Sequence, residues 1–155
     1  MDDQPRTTEP YPDTNTRSIY LGSTRLAHEH LVAQSQVVLR LGRILMKSGA
    51  SAYRIKASMA RLAKAVGLKE HHAQVTFTEI STSSYTDGNF RTEVAEQRTM
   101  GINAHKLDQL GKFISELPER ITPAEANAEL DRIDSAKPLY TPWMLALASA
   151  VACAG

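Results

Sequence analysis

The chain has 155 residues, enough for one domain with a hydrophobic core of its own. Its 18 basic and 17 acidic side chains leave a formal charge of +1, too little field to hold nucleic acid. The lone cysteine, Cys153, excludes an internal disulfide and a cysteine-based metal cluster.

Residues 1–27 open with "MDDQPRTTEPYPDTNTR", which is acidic, Pro-rich and without the apolar centre of a secretory signal. Such a stretch buries too little apolar surface to offset its ordering entropy, so a disordered leader is expected. His28-Glu29-His30 suggests a metal, but a zinc-protease helix needs its second histidine a full turn on, and position 32 is Val32. It reads as a solvated helix entrance.

A soluble domain is expected over residues 28–134. In "LVAQSQVVLRLGRILMKSG" the residues Ala33, Val37, Val38, Leu41 and Leu45 recur at helical spacing, and Gly49 supplies a left-handed stop. Ser51 can cap a second helix, "SAYRIKASMARLAKAVG". Here Ile55, Met59, Leu62 and Val66 share a face, Tyr53 is expected in the core with Met59, and Gly67 closes the helix. So short a link makes the pair an antiparallel hairpin.

The pattern then changes to period two. "AQVTFTEI" reads as a strand preceded by His71-His72, whose side chains point to opposite faces and make a poor chelate. Asp87-Gly88 is a favoured tight-turn pair between "STSSY" and "NFRTEVA", giving a β-hairpin in which Phe90, Thr92 and Val94 alternate. Thr82, Ser83, Ser84 and Tyr85 beside Asp87 invite a hydrolase reading. No G-x-S-x-G elbow is present, and ordinary sheet and turn chemistry accounts for them better.

Helices resume in "GINAHKLDQLGKFISEL", with Asn103 as cap and Leu107, Leu110, Ile114 and Leu117 as the buried stripe. "TPAEANAELDRID" carries a capping box, Thr122 with Glu125, and a harmless proline at the first helical position. The expected fold class is therefore α+β: helical hairpin, β-hairpin or small antiparallel sheet, then two further helices. Backbone N–H groups at a helix start attract anions, and a histidine side chain can carry positive charge, so Gly101, Asn103 and His105 are candidates for carboxylate binding. The competing account is a glycine turn, an asparagine cap and an exposed first-turn histidine.

Residues 135–142 form a Pro-punctuated linker. From Trp143 to Gly155 no residue is charged. That run is shorter than the roughly 20 residues a helix needs to cross hydrocarbon, so a buried terminal helix is one reading. The absence of a polar face, the entry aromatics Tyr140 and Trp143, and the isolating Pro138 and Pro142 support the other: the beginning of a first transmembrane helix, cut short. Arg132 and Lys137 ahead of it then favour a cytoplasmic amino-terminal domain.

"LRLGRILMKSGASAYRI", "GIN" followed by "HKL", and "PLYTPW" entering an apolar run, in that order and spacing, resemble the amino-terminal region of the threonine/serine exporter (ThrE-like) family. The resemblance runs from residue 31 to 155. It implies a bacterial inner-membrane exporter of small polar metabolites, threonine and serine driven by the proton gradient, with this domain in the cytoplasm. One branch is linked to succinate and adds a second membrane subunit. The implied partners are an amino acid or dicarboxylate substrate and membrane lipid, not nucleic acid; a homo-oligomer is left open, and no cofactor or metal is implied. The resemblance also implies that a chain of this extent does not transport alone, since the membrane bundle follows it in relatives. Gly101, Ile102, Asn103 and His105 match the pattern, His105 more like the succinate branch. Ala95, Glu96, Gln97 and Pro142 depart from it by replacing basic residues, so no anion-binding role carries over to those positions. The rival function is a stand-alone soluble domain with hydrolase-like or small-anion-binding activity.

Overall fold

The computed structural model describes residues 14–97 and 101–136, with side chains from Arg25 onward. Of the expected linker 135–142, Ser135 is the last residue of α4, while residues 137–142 and the apolar run after them lie outside the described residues. The described residues form four helices and a three-stranded antiparallel sheet, with α1 and α2 packed on the sheet, in the order α1 (Thr14–Lys47), α2 (Ala52–Ala65), β1 (Glu70–Val75), β2 (Glu79–Thr86), β3 (Asn89–Glu96), α3 (Ala104–Ser115) and α4 (Pro123–Ser135). The α+β class and the order of elements agree with the sequence reading. Helix α1 starts earlier than expected, inside the stretch assigned to the leader. Pro12 is the last proline before position 47, so no ring interrupts the backbone hydrogen bonds beyond it.

Helix α1 occupies the middle layer. It touches β2 and β3 on one side and α2 and α4 on others, and α3 packs against both α4 and α2. Leu31, Val37, Val38, Leu41 and Leu45 are fully enclosed, as the periodicity required. Ala33, however, is exposed, and the buried places beside it go to Gln34 and Ser35. A helix covered on several sides buries more than one stripe, so polar residues enter the interior when their hydrogen bonds are met. Ser35 Oγ donates to Val32 O, and Gln34 Nε2 donates to Val66 O at the end of α2. Gly42 lets the layers close: a Cβ there would stand 2.6 Å from Met59 Sδ and 3.2 Å from Ile80 Cδ1.

Both helices of the hairpin end in the same way. Gly49 and Gly67 have φ of +89°, and the residue after each donates back to the fifth residue before it, Ala50 to Leu45 and Leu68 to Ala63. Ser51 caps α2 as expected, accepting from Arg54 N. Met59 is enclosed, but Tyr53 is 84% exposed and does not enter the core. Ile55 fixes the buried face, and a residue two places earlier points to roughly the opposite side of a helix.

The stretch "AQVTFTEI" is not one strand. Thr76 makes a turn with Glu79, its backbone N–H donating to Glu79 O at 2.9 Å and its Oγ1 accepting from Glu79 N at 3.1 Å. This frees His71 and His72 to begin β1, paired with Ser84 and Ser83 of β2. The Asp87-Gly88 turn joins β2 to β3 as expected, with both residues at positive φ.

The sheet's polarity is unusual. Its covered face carries Ile80 but also Thr82, Ser84 and Thr86, all buried, while Phe90 and Val94 point outward. Beside that hydroxyl row, His71 Nδ1 lies 3.0 Å from Ser84 Oγ, and Arg91 pairs with Glu93 at 2.8 Å. Burial first, and then the charge of His72, holds the proton affinity of His71 below that of a free imidazole. A lowered folded-state pKa means the contribution of His71 to stability is complete above about 6.5 and is lost as pH falls through the lowered value. Chemical denaturation on either side of that window should show the fold weakening in acid, and His71→Gln should flatten the slope. An unchanged slope in the variant would remove His71 as its source.

Candidate functional site

The short link between α1 and α2, "SGAS", and the "GIN" segment meet at the carboxyl end of α1. The N–H of Gly101 donates to Lys47 O at 3.1 Å, and that of Asn103 donates to Ser48 O at 3.1 Å. Asn103 Oδ1 accepts from Lys106 N at 2.9 Å and so caps α3. The approach is close: a Cβ on Gly49 would stand 2.9 Å from Gly101 O. Two of the backbone donors considered for an anion are therefore engaged by α1. Of the three candidates, Gly101 and Asn103 form the joint, and His105 sits half-buried in the first turn of α3.

Beside this joint lies a cleft of about 310 Å³, lined by Arg40, Arg43, Ile44, Lys47, Gln97 and Asp134. Arg40 reaches α4, donating to Asn127 Oδ1 at 2.8 Å and forming an ion pair with Asp131. Lys106 Nζ binds Asp134 Oδ1 at 2.7 Å and Asp134 O at 3.0 Å. The Lys106 hydrogen bond is the main reason the Asp134 carboxyl is held below its usual range; Lys47 and Arg40 add to it. Arg40, Arg43, Lys47 and Lys106 face Asp131 and Asp134, so positive charge is in excess here, and Arg43 and Lys47 are exposed.

The hydroxyl-rich strand gives a different result. Ser83 Oγ pairs with Thr92 Oγ1 at 3.1 Å, whereas Ser84 lies across from His71 in the register of β1 and β2. A serine–histidine pair is half of a nucleophilic site. Ser84 is only 1% exposed, however, and His71 Nε2 has no hydrogen-bond partner to orient the ring. A substrate carbonyl has no approach to that hydroxyl. Sequence reasoning missed the pair because the turn at Thr76 was read as strand, which hid His71 from the register. Among the described residues no group of histidine, cysteine and carboxylate side chains could hold a metal.

A wider groove of about 1460 Å³ opens at the other end of the hairpin, bordered by His30, Gln34, Lys64 and Arg120 among others. Much of its polar lining is already engaged. Gln34 holds Val66 O, Arg61 holds Ser115 O, and Glu125 closes the Thr122 capping box. No helix among the described residues is long and apolar enough to cross a membrane.

The family model described as "Putative threonine/serine exporter" matches residues 36–155, and the chain belongs to that family of membrane exporters. It is also similar to pheromone-regulated membrane protein 10 of the yeast Candida glabrata, 27% identical over 117 residues. That match takes in 74% of this chain and 15% of the yeast protein, so the chain spans a small part of the curated relative's length. No solved structure matches.

The Gly49 joint makes a direct prediction. At φ +89° and with a backbone oxygen in the way, Gly49→Ala should cost about 2–3 kcal/mol. Gly101→Ala should cost far less, since the nearest atom to a Cβ there is Lys47 O at 3.9 Å. Equal melting temperatures for the two variants would contradict this arrangement.

Proposed function

We propose that this chain is the cytoplasmic amino-terminal domain of an exporter of threonine and serine, with succinate as the alternative cargo, driven by the proton gradient in the complete protein. The family match across residues 36–155 is the observation that carries the reading, because it takes in the domain and the uncharged run from Trp143 together. In this reading the run opens the first membrane span, and Pro138 and Pro142 separate it from the folded part. Arg132 and Lys137 ahead of the span fit the excess of basic residues found on cytoplasmic sides. Substrate sites of secondary transporters lie near the membrane midplane, so transport chemistry is assigned to helices beyond this domain. The domain's own part is gating or assembly, with a second subunit or a homo-oligomer as partners to be sought. A stand-alone hydrolase is disfavoured by the enclosed Ser84.

Efflux from cells carrying the complete gene, compared for threonine, serine and succinate, tests the assignment. One of the three should leave the cell faster than in cells lacking the gene, and a protonophore should abolish the difference. No gene-dependent efflux of any of them would refute the cargo class. His105→Ala in the same protein should alter flux at unchanged protein level if the imidazole binds a carboxylate. Unchanged flux would reduce His105 to a helix-start residue.

A further inference from the structure

The three most exposed large apolar side chains among the described residues are Ile102 at 93%, Tyr53 at 84% and Phe77 at 79%. They come from three elements far apart in sequence, yet the topology gathers them at one end. Tyr53 opens α2 just past the Gly49 stop, and Ile102 lies between the two residues that donate to the last carbonyls of α1. Phe77 is in the β1–β2 turn, which the Gln97 N–H joins by donating to Thr78 O at 2.7 Å, and Gln97 borders the basic cleft. The same end presents Arg43 and Lys47 to solvent. Helix α4 also finishes there, its last turn held to Lys106 at the start of α3. From Ala136 to Trp143 an extended chain spans at most about 25 Å.

Single exposed apolar residues are ordinary on a protein surface. Three at one end, with the exposed Arg43 and Lys47 at that same end and an uncharged run tethered to it, match a surface that meets a membrane. We propose that this end of the domain rests on the bilayer, with Tyr53, Phe77 and Ile102 entering the interfacial layer and Arg43 and Lys47 pairing with anionic lipid phosphates. The inference rests on the reading of the run from Trp143 as membrane-inserted, and it adds an orientation: α1 meets the membrane by its carboxyl end and the Asp87-Gly88 turn faces away.

The test uses the full chain in phosphatidylcholine vesicles, with and without phosphatidylglycerol, and quenchers attached to the lipid chains. Cys153 labelled with an environment-sensitive fluorophore reports the terminal run. On a Cys153→Ser background, Phe77→Cys and Ile102→Cys report the proposed face, and Phe90→Cys, exposed near the opposite end of the sheet, serves as reference. Labels at 77 and 102 should be quenched at least about twofold more than at 90 in anionic vesicles. Arg43→Gln with Lys47→Gln should reduce that excess, each basic residue near the surface being worth about fivefold in partition. Quenching at Cys153 with none in excess at 77 and 102 overturns the orientation and leaves the inserted run standing. No quenching at Cys153 overturns both.

Discussion

The last carbonyls of α1 set the constraint on which the rest of the molecule depends. A helix packed between a sheet and another helix layer cannot leave those groups unpaired without a desolvation cost of about 1–3 kcal/mol each. Gly49 and Ala50 turn back to satisfy two of them, at Met46 and Leu45. Lys47 and Ser48 receive their donors from Gly101 and Asn103, more than fifty residues on. That long-range closure brings the chain back from the sheet to start α3 where α1 stops. It also explains which glycine is required: the close approach and the positive φ both fall on Gly49, while Gly101 has room.

The sheet obeys a second constraint. Its covered face presents hydroxyls, a histidine and an ion pair, and burying such groups is favourable only when they find partners. Ser84 meets His71, Thr82 Oγ1 donates to Glu93 O at 3.5 Å, and Glu93 meets Arg91. Glu93 Oε2, Arg91 Nε and His71 Nε2 nonetheless remain without hydrogen bonds. The hydrophobic contribution on this side therefore rests on Ile80, Met59 and the slot at Gly42, and the polar row contributes specificity of register rather than apolar burial. A one-residue slip of β2 would turn Thr82 and Ser84 outward and break the His71 and Glu93 contacts together.

Helices were legible wherever a periodic apolar run ended in a cap. Ser51, Gly67, Asn103 and the Thr122–Glu125 box all stand where local pattern placed them, because caps are local hydrogen-bond chemistry. The turn at Thr76 was not legible. It uses no glycine or proline, only a threonine hydroxyl, so β1 merged with β2 and the pairing of His71 with Ser84 was lost. Tyr53 and Ala33 failed for a tertiary reason: which face of a helix is covered depends on neighbours that periodicity alone does not name. Of the candidate site, the residues Gly101, Asn103 and His105 were visible, whereas Arg40, Arg43 and Lys47 gained meaning only when α4 and Gln97 came beside them.

The ion pairs at this end bear on how the domain would act in an exporter. Each surface pair alone is worth little, often under about 1 kcal/mol. Here they are joined: Arg40 ties α1 to Asp131, and Lys106, itself mostly buried at 16% exposure, ties α3 to Asp134. The final turn of α4 is thus fastened to both neighbouring helices just before the chain leaves the domain. A helix attached beyond Ala136 would pull on α1 and α3 through the α4 side chains that Arg40 and Lys106 hold. Movement of that helix would be passed first to the joint at Gly49 and Gly101, where α1 and α3 share backbone hydrogen bonds. The sheet meets the same region at Gln97, which lines the cleft beside Arg43 and Lys47.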